Sequence, residues 1–269
     1  MNIWKVSYLA LRVMLQRRLL WLGGLSLIAV LVAASLAAEF GGRQPATVAL
    51  DVGISTLRVV LPLFLVFQVQ ELFSREFERR FYQISLTYPL SRSAWVIGRV
   101  LALVCLTGLL LVLITGLLSA EVALVGQRFQ QPTPVSLGAP LWLAVLFVAL
   151  DLLVLLCLAC FLAVMATTPS FVLIGTLGFM LIARSYSAML ALLNTNHELV
   201  GNAETYRDSL GILGYLLPNL GALDIRMIAL YARMDLMPQD WQIVVGNTLF
   251  YALGLLALTV WRFQRKQFS

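Results

Sequence analysis

Charged side chains are scarce in this chain of 269 residues, since Asp, Glu, Lys and Arg together make up 12% of it. Soluble globular proteins carry about 25% charged residues, enough to cover their surface. Here 61% of the residues are hydrophobic and the mean hydropathy is +0.90. This composition excludes a soluble enzyme, a disordered chain and a nucleic-acid-binding domain, and it predicts an all-α, polytopic membrane protein.

The residues that most catalytic motifs need are also scarce. The only lysines are Lys5 and Lys266, and neither follows a glycine, so the chain has no phosphate-binding loop. His197 is the sole histidine, and no G-x-S-x-G or H-E-x-x-H sequence occurs. We therefore expect no enzymatic site in this chain. If ATP drives the protein, a separate subunit must bind it.

The three cysteines lie in apolar runs, which argues against a secreted disulfide framework. Cys157 and Cys160 have the C-x-x-C spacing, which on a helix places both sulfurs on one face. A soft-metal or redox site, with Met165 as a third ligand, is one interpretation. The other is that both cysteines pack as small apolar residues. The prediction is that the chain holds no metal, with Cys157 and Cys160 as the alternative.

Six apolar runs are each long enough to cross the hydrocarbon core of a bilayer, which takes about 20 helical residues. We expect one transmembrane domain over residues 1–269, with spans at 19–38, 54–73, 100–120, 141–166, 171–193 and 241–261. Residues 1–18 have apolar positions at helical spacing, interrupted by basic ones. They predict an amphipathic helix at the membrane surface, or alternatively a cytosolic extension of the first span.

The basic residues predict the orientation, because cytoplasmic segments of membrane proteins are enriched in Lys and Arg. With both termini cytoplasmic, the segments on the inside hold 12 basic residues and those on the outside hold 5. The inside set is Lys5, Arg12, Arg17, Arg18, Arg75, Arg79, Arg80, Arg92, Arg99, Arg262, Arg265 and Lys266; the outside set is Arg43, Arg128, Arg207, Arg226 and Arg233.

The external segment 194–240 contains two short apolar stretches, which are divided at Pro218-Asn219. Neither stretch is long enough to span a bilayer. We expect a pair of short helices that enter the outer membrane face or lie along it. A compact external helical hairpin is the alternative.

Three ionisable residues, Arg58, Asp151 and Arg184, fall inside the predicted spans, where charges are costly and usually pair or face a cavity. The short turn 167–170 makes the fourth and fifth spans antiparallel neighbours. Asp151 and Arg184 then lie at similar depth, which predicts an intramembrane ion pair. The pair either fixes helix packing or takes part in substrate passage or gating. Arg58 lies near the outer end of its predicted span, and we expect it to extend towards the interface.

The cytoplasmic segment between the second and third spans is the most charged part of the chain. Its helical spacing places Phe73, Phe77, Phe81 and Ile84 on one face of a short helix that carries Arg75, Glu76, Glu78, Arg79 and Arg80. Pro89 then disfavours helix, and Ser91 or Ser93 can cap the helix that enters the third span. Such a helix, held between two spans, can press on a partner and transmit motion. An ordinary loop made basic by the orientation is the alternative.

This segment resembles the membrane subunits of ABC-2 type transporters. Those permeases typically have an acidic residue and a short helix after the second span, then a P-[VL]-S-R-S-like turn and Gly-[KR]. The corresponding residues here are Glu78, Pro89-Leu90-Ser91-Arg92-Ser93 and Gly98-Arg99. The six spans, the broken segment 194–240 and the basic tail 261–266 are similar too. Arg79 departs from the pattern, since family members often have glycine there.

The resemblance implies a permease subunit, usually an exporter, in the bacterial cytoplasmic (inner) membrane. Two copies, expected as a homodimer surrounded by lipid, would bind two ATPase subunits that hold ATP and Mg, and no nucleic acid. This chain would hold no cofactor. The ATPase-coupling residues would be Arg75, Glu76, Glu78, Arg79, Arg80 and Phe81. The alternatives are a secondary transporter or channel that works alone, and a membrane enzyme or scaffold. The substrate does not follow from the sequence.

Overall fold

The computed structural model describes residues 3–15, 19–74, 91–128, 135–166, 168–195 and 217–265, and within these ranges the chain is helical and contains no strand. The helices are α1 (Ile3–Leu15), α2 (Leu19–Phe40), α3 (Pro45–Val69), α4 (Arg92–Arg128), α5 (Ala139–Met165), α6 (Pro169–Thr195), α7 (Met227–Leu230) and α8 (Trp241–Arg265). A π-helical turn, Gln70–Ser74, extends α3, and 3₁₀ turns at Leu220–Leu223 and Met234–Leu236 flank α7.

Six of these helices, α2, α3, α4, α5, α6 and α8, are long and apolar enough to cross a membrane. The prediction of an all-α chain with six helices able to span a membrane is therefore confirmed within the described ranges. Helix α5 lies at the centre, with 67% of its most apolar window buried, against 22% for α2 and for α8. The outer helices expose large apolar side chains such as Trp21 and Phe250, as expected of surfaces that face lipid.

The second span begins earlier than the sequence predicted. The expected external loop 39–53 is short, because α3 starts at Pro45 and not at residue 54. Proline is favoured in the first turn of a helix, where its missing N–H has no partner to lose. Gly42 makes the turn before it with φ of +55°, a conformation that suits glycine. This shift changes the depth of every residue in α3.

Helix α4 is also longer than predicted, with 37 residues where the sequence indicated a span at 100–120. At 1.5 Å per residue it is about 55 Å long, more than the roughly 30 Å of a hydrocarbon core. It begins as predicted near the serine-rich turn, and the Oγ of Ser91 accepts a hydrogen bond from the backbone N–H of Ala94 at 3.3 Å. Ser91 is therefore the capping residue.

Close helix contacts depend on glycine at two places. A Cβ on Gly53 of α3 would lie 2.6 Å from a methyl group of Leu118 in α4. A Cβ on Gly175 of α6 would lie 2.8 Å from a methyl group of Leu162 in α5. Small residues permit such approaches between helices that gain little from burial in lipid. The second contact also shows that α5 and α6 are direct neighbours, as their short connection predicted.

One end of the bundle contains the π turn after α3, the start of α4 and the last turn of α8; we call it the basic end. Helix α1 packs against α4 near this end, where the Ser7 hydroxyl donates a 2.8 Å hydrogen bond to the carbonyl of Gly98. Val6, Ala10 and Met14 are buried in that contact, while Lys5 and Arg12 are exposed. Within α1, the face that carries Val6, Ala10 and Met14 therefore packs against the bundle.

Candidate functional site

A buried cluster of charges lies in the middle of the bundle. Asp151, Arg58 and Arg184 are each close to the midpoint of their helices, α5, α3 and α6. The Nη2 atom of Arg184 lies 2.6 Å from Oδ2 of Asp151, whose side chain is fully buried. The contact predicted between Asp151 and Arg184 is therefore present. Its role in function stays a prediction.

Arg58 does not extend towards the membrane interface, contrary to the prediction. Its Nη2 lies 3.7 Å from Oδ2 of Asp151, and its side chain is 8% exposed. The prediction was wrong because it placed the start of the span at residue 54, whereas α3 begins at Pro45 and Arg58 lies at mid-helix. At that depth an ion pair inside the bundle stabilises the guanidinium better than a long extension to the headgroups.

A proline in α3 explains why Arg184 also contacts the main chain. In a regular helix the N–H of residue 62 would donate to the carbonyl of Arg58, but Pro62 has no N–H. Arg184 supplies the missing donor, with Nη1 at 2.8 Å from the Arg58 carbonyl oxygen. One side chain of α6 thus satisfies both a carboxylate of α5 and a free carbonyl of α3.

A second layer of charges lies between this cluster and the end opposite the basic end. Asp224 follows the 3₁₀ turn Leu220–Leu223 and forms an ion pair with Nη1 of Arg58. The Nε atom of Arg226 lies 3.5 Å from Oδ1 of Asp224, and its Nη1 lies 3.0 Å from Oδ1 of Asp51 in α3. The same Nη1 donates a hydrogen bond to the Ser55 hydroxyl. These contacts tie the segment before α8 to the first half of α3.

The six charges balance and become more exposed along the network. Three arginines (Arg58, Arg184 and Arg226) face three aspartates (Asp51, Asp151 and Asp224). The exposed fractions of the aspartate side chains rise from 0% at Asp151 to 29% at Asp224 and 44% at Asp51. A neutral network of this kind avoids the cost of an isolated buried charge.

The segment 217–230 packs into the bundle and carries Asp224 to its place. Leu220, Leu223, Ile228 and Ala229 are at most 1% exposed. The Asn219 side chain caps the 3₁₀ turn by accepting from the N–H of Ala222 at 3.1 Å, and the carbonyl of Ala229 accepts from Ser136 at 3.0 Å. Irregular backbone at such depth is tolerated where protein surrounds it.

Sequence reasoning missed Asp51, Asp224 and Arg226 as members of the site. All three lie outside the predicted spans, so the cost of a charge in lipid gave no reason to expect partners for them. The available signal was Asp224-Ile-Arg226, two opposite charges within an otherwise apolar stretch. A second signal was Pro62, four residues after Arg58, which leaves a carbonyl free in a span.

A second cluster, aromatic, lies at the basic end. Trp95 stacks on Phe263 of α8 with ring centroids 4.8 Å apart and planes at 4°, and it meets Phe73 edge to face at 5.8 Å. The Arg99 guanidinium lies 3.7 Å from the centroid of the Trp95 ring and donates to the carbonyl of Leu72 at 2.5 Å. The cluster thus joins α3, α4 and α8 around both ends of the segment 75–90.

The predicted coupling residues Arg75, Glu76, Glu78, Arg79, Arg80 and Phe81 lie outside the described residues, as does His197. Cys157 and Cys160 are both buried in α5. No group of three or more His, Cys, Asp or Glu side chains that could hold a metal ion occurs in the described ranges.

Six apolar helices, a charge network in mid-bundle and an aromatic cluster at the basic end define the class: a multi-pass helical membrane protein. Comparison with protein-family models and with curated protein sequences gave no match.

Proposed function

We propose that this chain is the membrane-spanning permease subunit of an ATP-driven ABC-2 type transporter, working as an exporter with a separate ATPase. Two permease copies would form the path and bind two ATPase subunits, which hold ATP and Mg. The basic end faces the cytoplasm of a bacterial cell, in line with the 12 to 5 distribution of Lys and Arg between the two sides. Helix α1 then lies at the cytoplasmic membrane surface.

The observation that carries the proposal is the fixed base of the segment 75–90. The chain enters this segment two residues after Phe73 and leaves it five residues before Trp95, and those two rings are in contact. Arg99 adds a hydrogen bond from α4 back to Leu72. Because both ends of this charged cytoplasmic segment join the bundle at one packed point, a docked protein that displaces the segment would also displace that point of the bundle.

The same base provides a route for motion into the spans. A displacement of the segment would move Phe73 and Trp95 together, and the stack of Trp95 on Phe263 passes it to α8. A hydrogen bond of 2.8 Å from Arg92 to the carbonyl of Gln264 strengthens that link. ATP binding would favour one bundle conformation only through its stronger binding to the closed ATPase pair. Arg75, Glu76, Glu78, Arg79, Arg80 and Phe81 would contact the ATPase.

The test is affinity purification of the tagged chain from its native host in mild detergent. We expect a P-loop ATPase in equal amounts, lost in Glu78→Lys and in Arg79→Glu. The matched control is Arg128→Glu, because Arg128 is exposed at the far end of α4 and should not affect the partner. Recovery of the chain without a nucleotide-binding partner, in several detergents, would contradict the proposal.

A second candidate function is a transporter that works alone. It is favoured by the Asp151 cluster, because ionisable groups at mid-bilayer often mark substrate or ion pathways. Reconstituted chain that transports without any ATPase, and loses transport in Asp151→Asn, would support this alternative.

A further inference from the structure

The contact between Arg58 and Asp224 joins a long central helix to a short irregular segment at the edge of the charge network. Arg58 belongs to a helix in the centre of the bundle and is 8% exposed. Asp224 belongs to the short segment before α8 and is 29% exposed, on the side where the network meets solvent. Unlike Arg58, Asp151 and Arg184, Asp224 does not belong to a long helix. Its side chain can therefore move away without unfolding one of the six long apolar helices.

The charges around Asp151 do not balance without Asp224. Arg58 and Arg184 both pair with Asp151, so these three side chains sum to one positive charge. Asp224 supplies the missing negative charge at Arg58. If it moved away, a buried guanidinium would lose a partner, which is costly in a medium of low polarity. A different anion in the same place would remove that cost.

Donors for such an anion are already present. The Nε atoms of Arg58 and Arg184 are buried and have no hydrogen-bond partner among the described residues. A guanidinium binds carboxylate or phosphate best through two parallel N–H groups, and the Nε–H of each of these arginines is not used by a partner in the described part of the chain. Arg184 is held in place by Asp151 and by the Arg58 carbonyl, so the pair is preorganised.

We propose that Arg58, with Arg184 beside it, forms a binding site for a carboxylate or phosphate group, and that Asp224, which pairs with Arg58, occupies this site as a displaceable internal counter-ion. The Asp224 side chain then moves away from Arg58 when an external anion takes its place, and the backbone around Asp224 loosens while the buried side chains of segment 217–230 keep their packing. The site itself does not depend on an ATPase. That its ligand is the acidic group of a transported substrate rests on the proposed permease function.

The test uses Asp224→Asn in the purified full-length chain, with inorganic phosphate as the probe. The variant loses the internal anion, so we expect a lower melting temperature than in the natural chain and a saturable rise of about 3 °C with phosphate, since a ligand that binds the folded state stabilises it. Chloride at equal ionic strength should not give this rise, which separates binding from screening. Asp224→Asn with Arg58→Gln should not respond.

Asp235→Asn is the matched control. Asp235 lies a few residues after segment 217–230, in the 3₁₀ turn Met234–Leu236, but its partner Arg233 is 64% exposed. Its loss should therefore leave the melting temperature and the phosphate response unchanged. An equal response in Asp235→Asn, or a response of Asp224→Asn that follows ionic strength alone, would overturn the proposal.

The natural chain provides a second measurement in case Asp224→Asn does not fold. Phosphate should compete with Asp224 and accelerate amide hydrogen exchange at residues 222–230, whereas chloride at equal ionic strength should not. Equal exchange in both salts would overturn the proposal.

The anionic group can come from a soluble molecule or from a lipid headgroup. Bilayers of phosphatidylcholine with and without phosphatidylglycerol distinguish the two in Asp224→Asn. A rise in melting temperature with phosphatidylglycerol alone identifies the headgroup as the source, and a rise with phosphate alone identifies a soluble anion. No rise with either overturns the proposal.

Discussion

Arg184 donates a 2.8 Å hydrogen bond to the main-chain carbonyl of Arg58, the carbonyl that Pro62 leaves without a helical donor. The same guanidinium lies 2.6 Å from Asp151. One residue of α6 therefore completes both the backbone of α3 and the charge balance of α5. Because one guanidinium serves two neighbouring helices at this point, changes here have predictable consequences.

Asp151→Asn should destabilise the fold strongly. It leaves two guanidiniums in mid-bundle with one remaining acidic partner, and breaking a buried ion pair from one side typically costs about 3–5 kcal/mol. Arg184→Gln should act in the same direction. The double variant should lose less than the sum of the two, because the singles share one interaction. Thermal denaturation in detergent, followed by size-exclusion chromatography, measures this.

The matched control for that cycle is Arg233→Gln with Asp235→Asn. This pair has a similar geometry, with 2.5 Å between Arg233 Nη2 and Asp235 Oδ2, but both side chains are at least 60% exposed. Solvent screens such pairs, so neither single variant should change the melting temperature. If the Asp151 and Arg184 variants behave like this control, the buried pair does not stabilise the bundle.

Pro62→Ala should partly rescue Arg184→Gln. Alanine restores the backbone N–H that α3 lacks at this position, so the Arg58 carbonyl regains a helical donor when Arg184 no longer supplies one. The expected gain is about 1 kcal/mol, the usual net value of a hydrogen bond. The same substitution in the natural chain should gain less, because Arg184 already satisfies that carbonyl. Equal gains in both backgrounds would show that Arg184 does not replace the missing donor.

Much of the bundle could be predicted from the sequence, because lipid imposes strong rules on composition. The long apolar runs predicted six spans. The cost of a charge in lipid predicted that Asp151 and Arg184 would pair. The depth of Arg58 was mispredicted because Asp51 and Gly53 look like loop residues. In the structure both residues lie within α3, where Asp51 forms an ion pair with Arg226 and the absent side chain of Gly53 leaves room for Leu118.

Asp224 could not be placed from the sequence. Its position depends on how the segment 217–230 packs between spans, and that packing is set by contacts such as Leu220 and Ile228 with distant helices. Periodicity over a stretch this short predicts a helix but not where it docks.

Gly53→Ala should destabilise the contact between α3 and α4. The added methyl group would lie 2.6 Å from a methyl group of Leu118, so the Leu118 side chain or one of the two helices must shift. We expect a cost of about 1–3 kcal/mol, as for overpacking in a core. Leu118→Ala in the same chain should remove the clash and restore part of the stability. Gly254→Ala in α8 is the control, since nothing lies within 4 Å of its added Cβ. A melting temperature as low for Gly254→Ala would point to a general effect of glycine replacement.

Phe263→Ala should loosen the aromatic cluster at the basic end. The ring is fully buried and stacks on Trp95, so its loss should cost about 3 kcal/mol, towards the low end for a buried aromatic side chain. Phe250→Ala on the same helix removes a ring that is 81% exposed and should change the melting temperature little. If the cluster is the base from which segment 75–90 meets a partner, Phe263→Ala should also reduce recovery of the ATPase at temperatures where the chain is still folded. A variant that is destabilised but recovers the partner in full would show that the Trp95–Phe263 stack stabilises the bundle without supporting the docking segment.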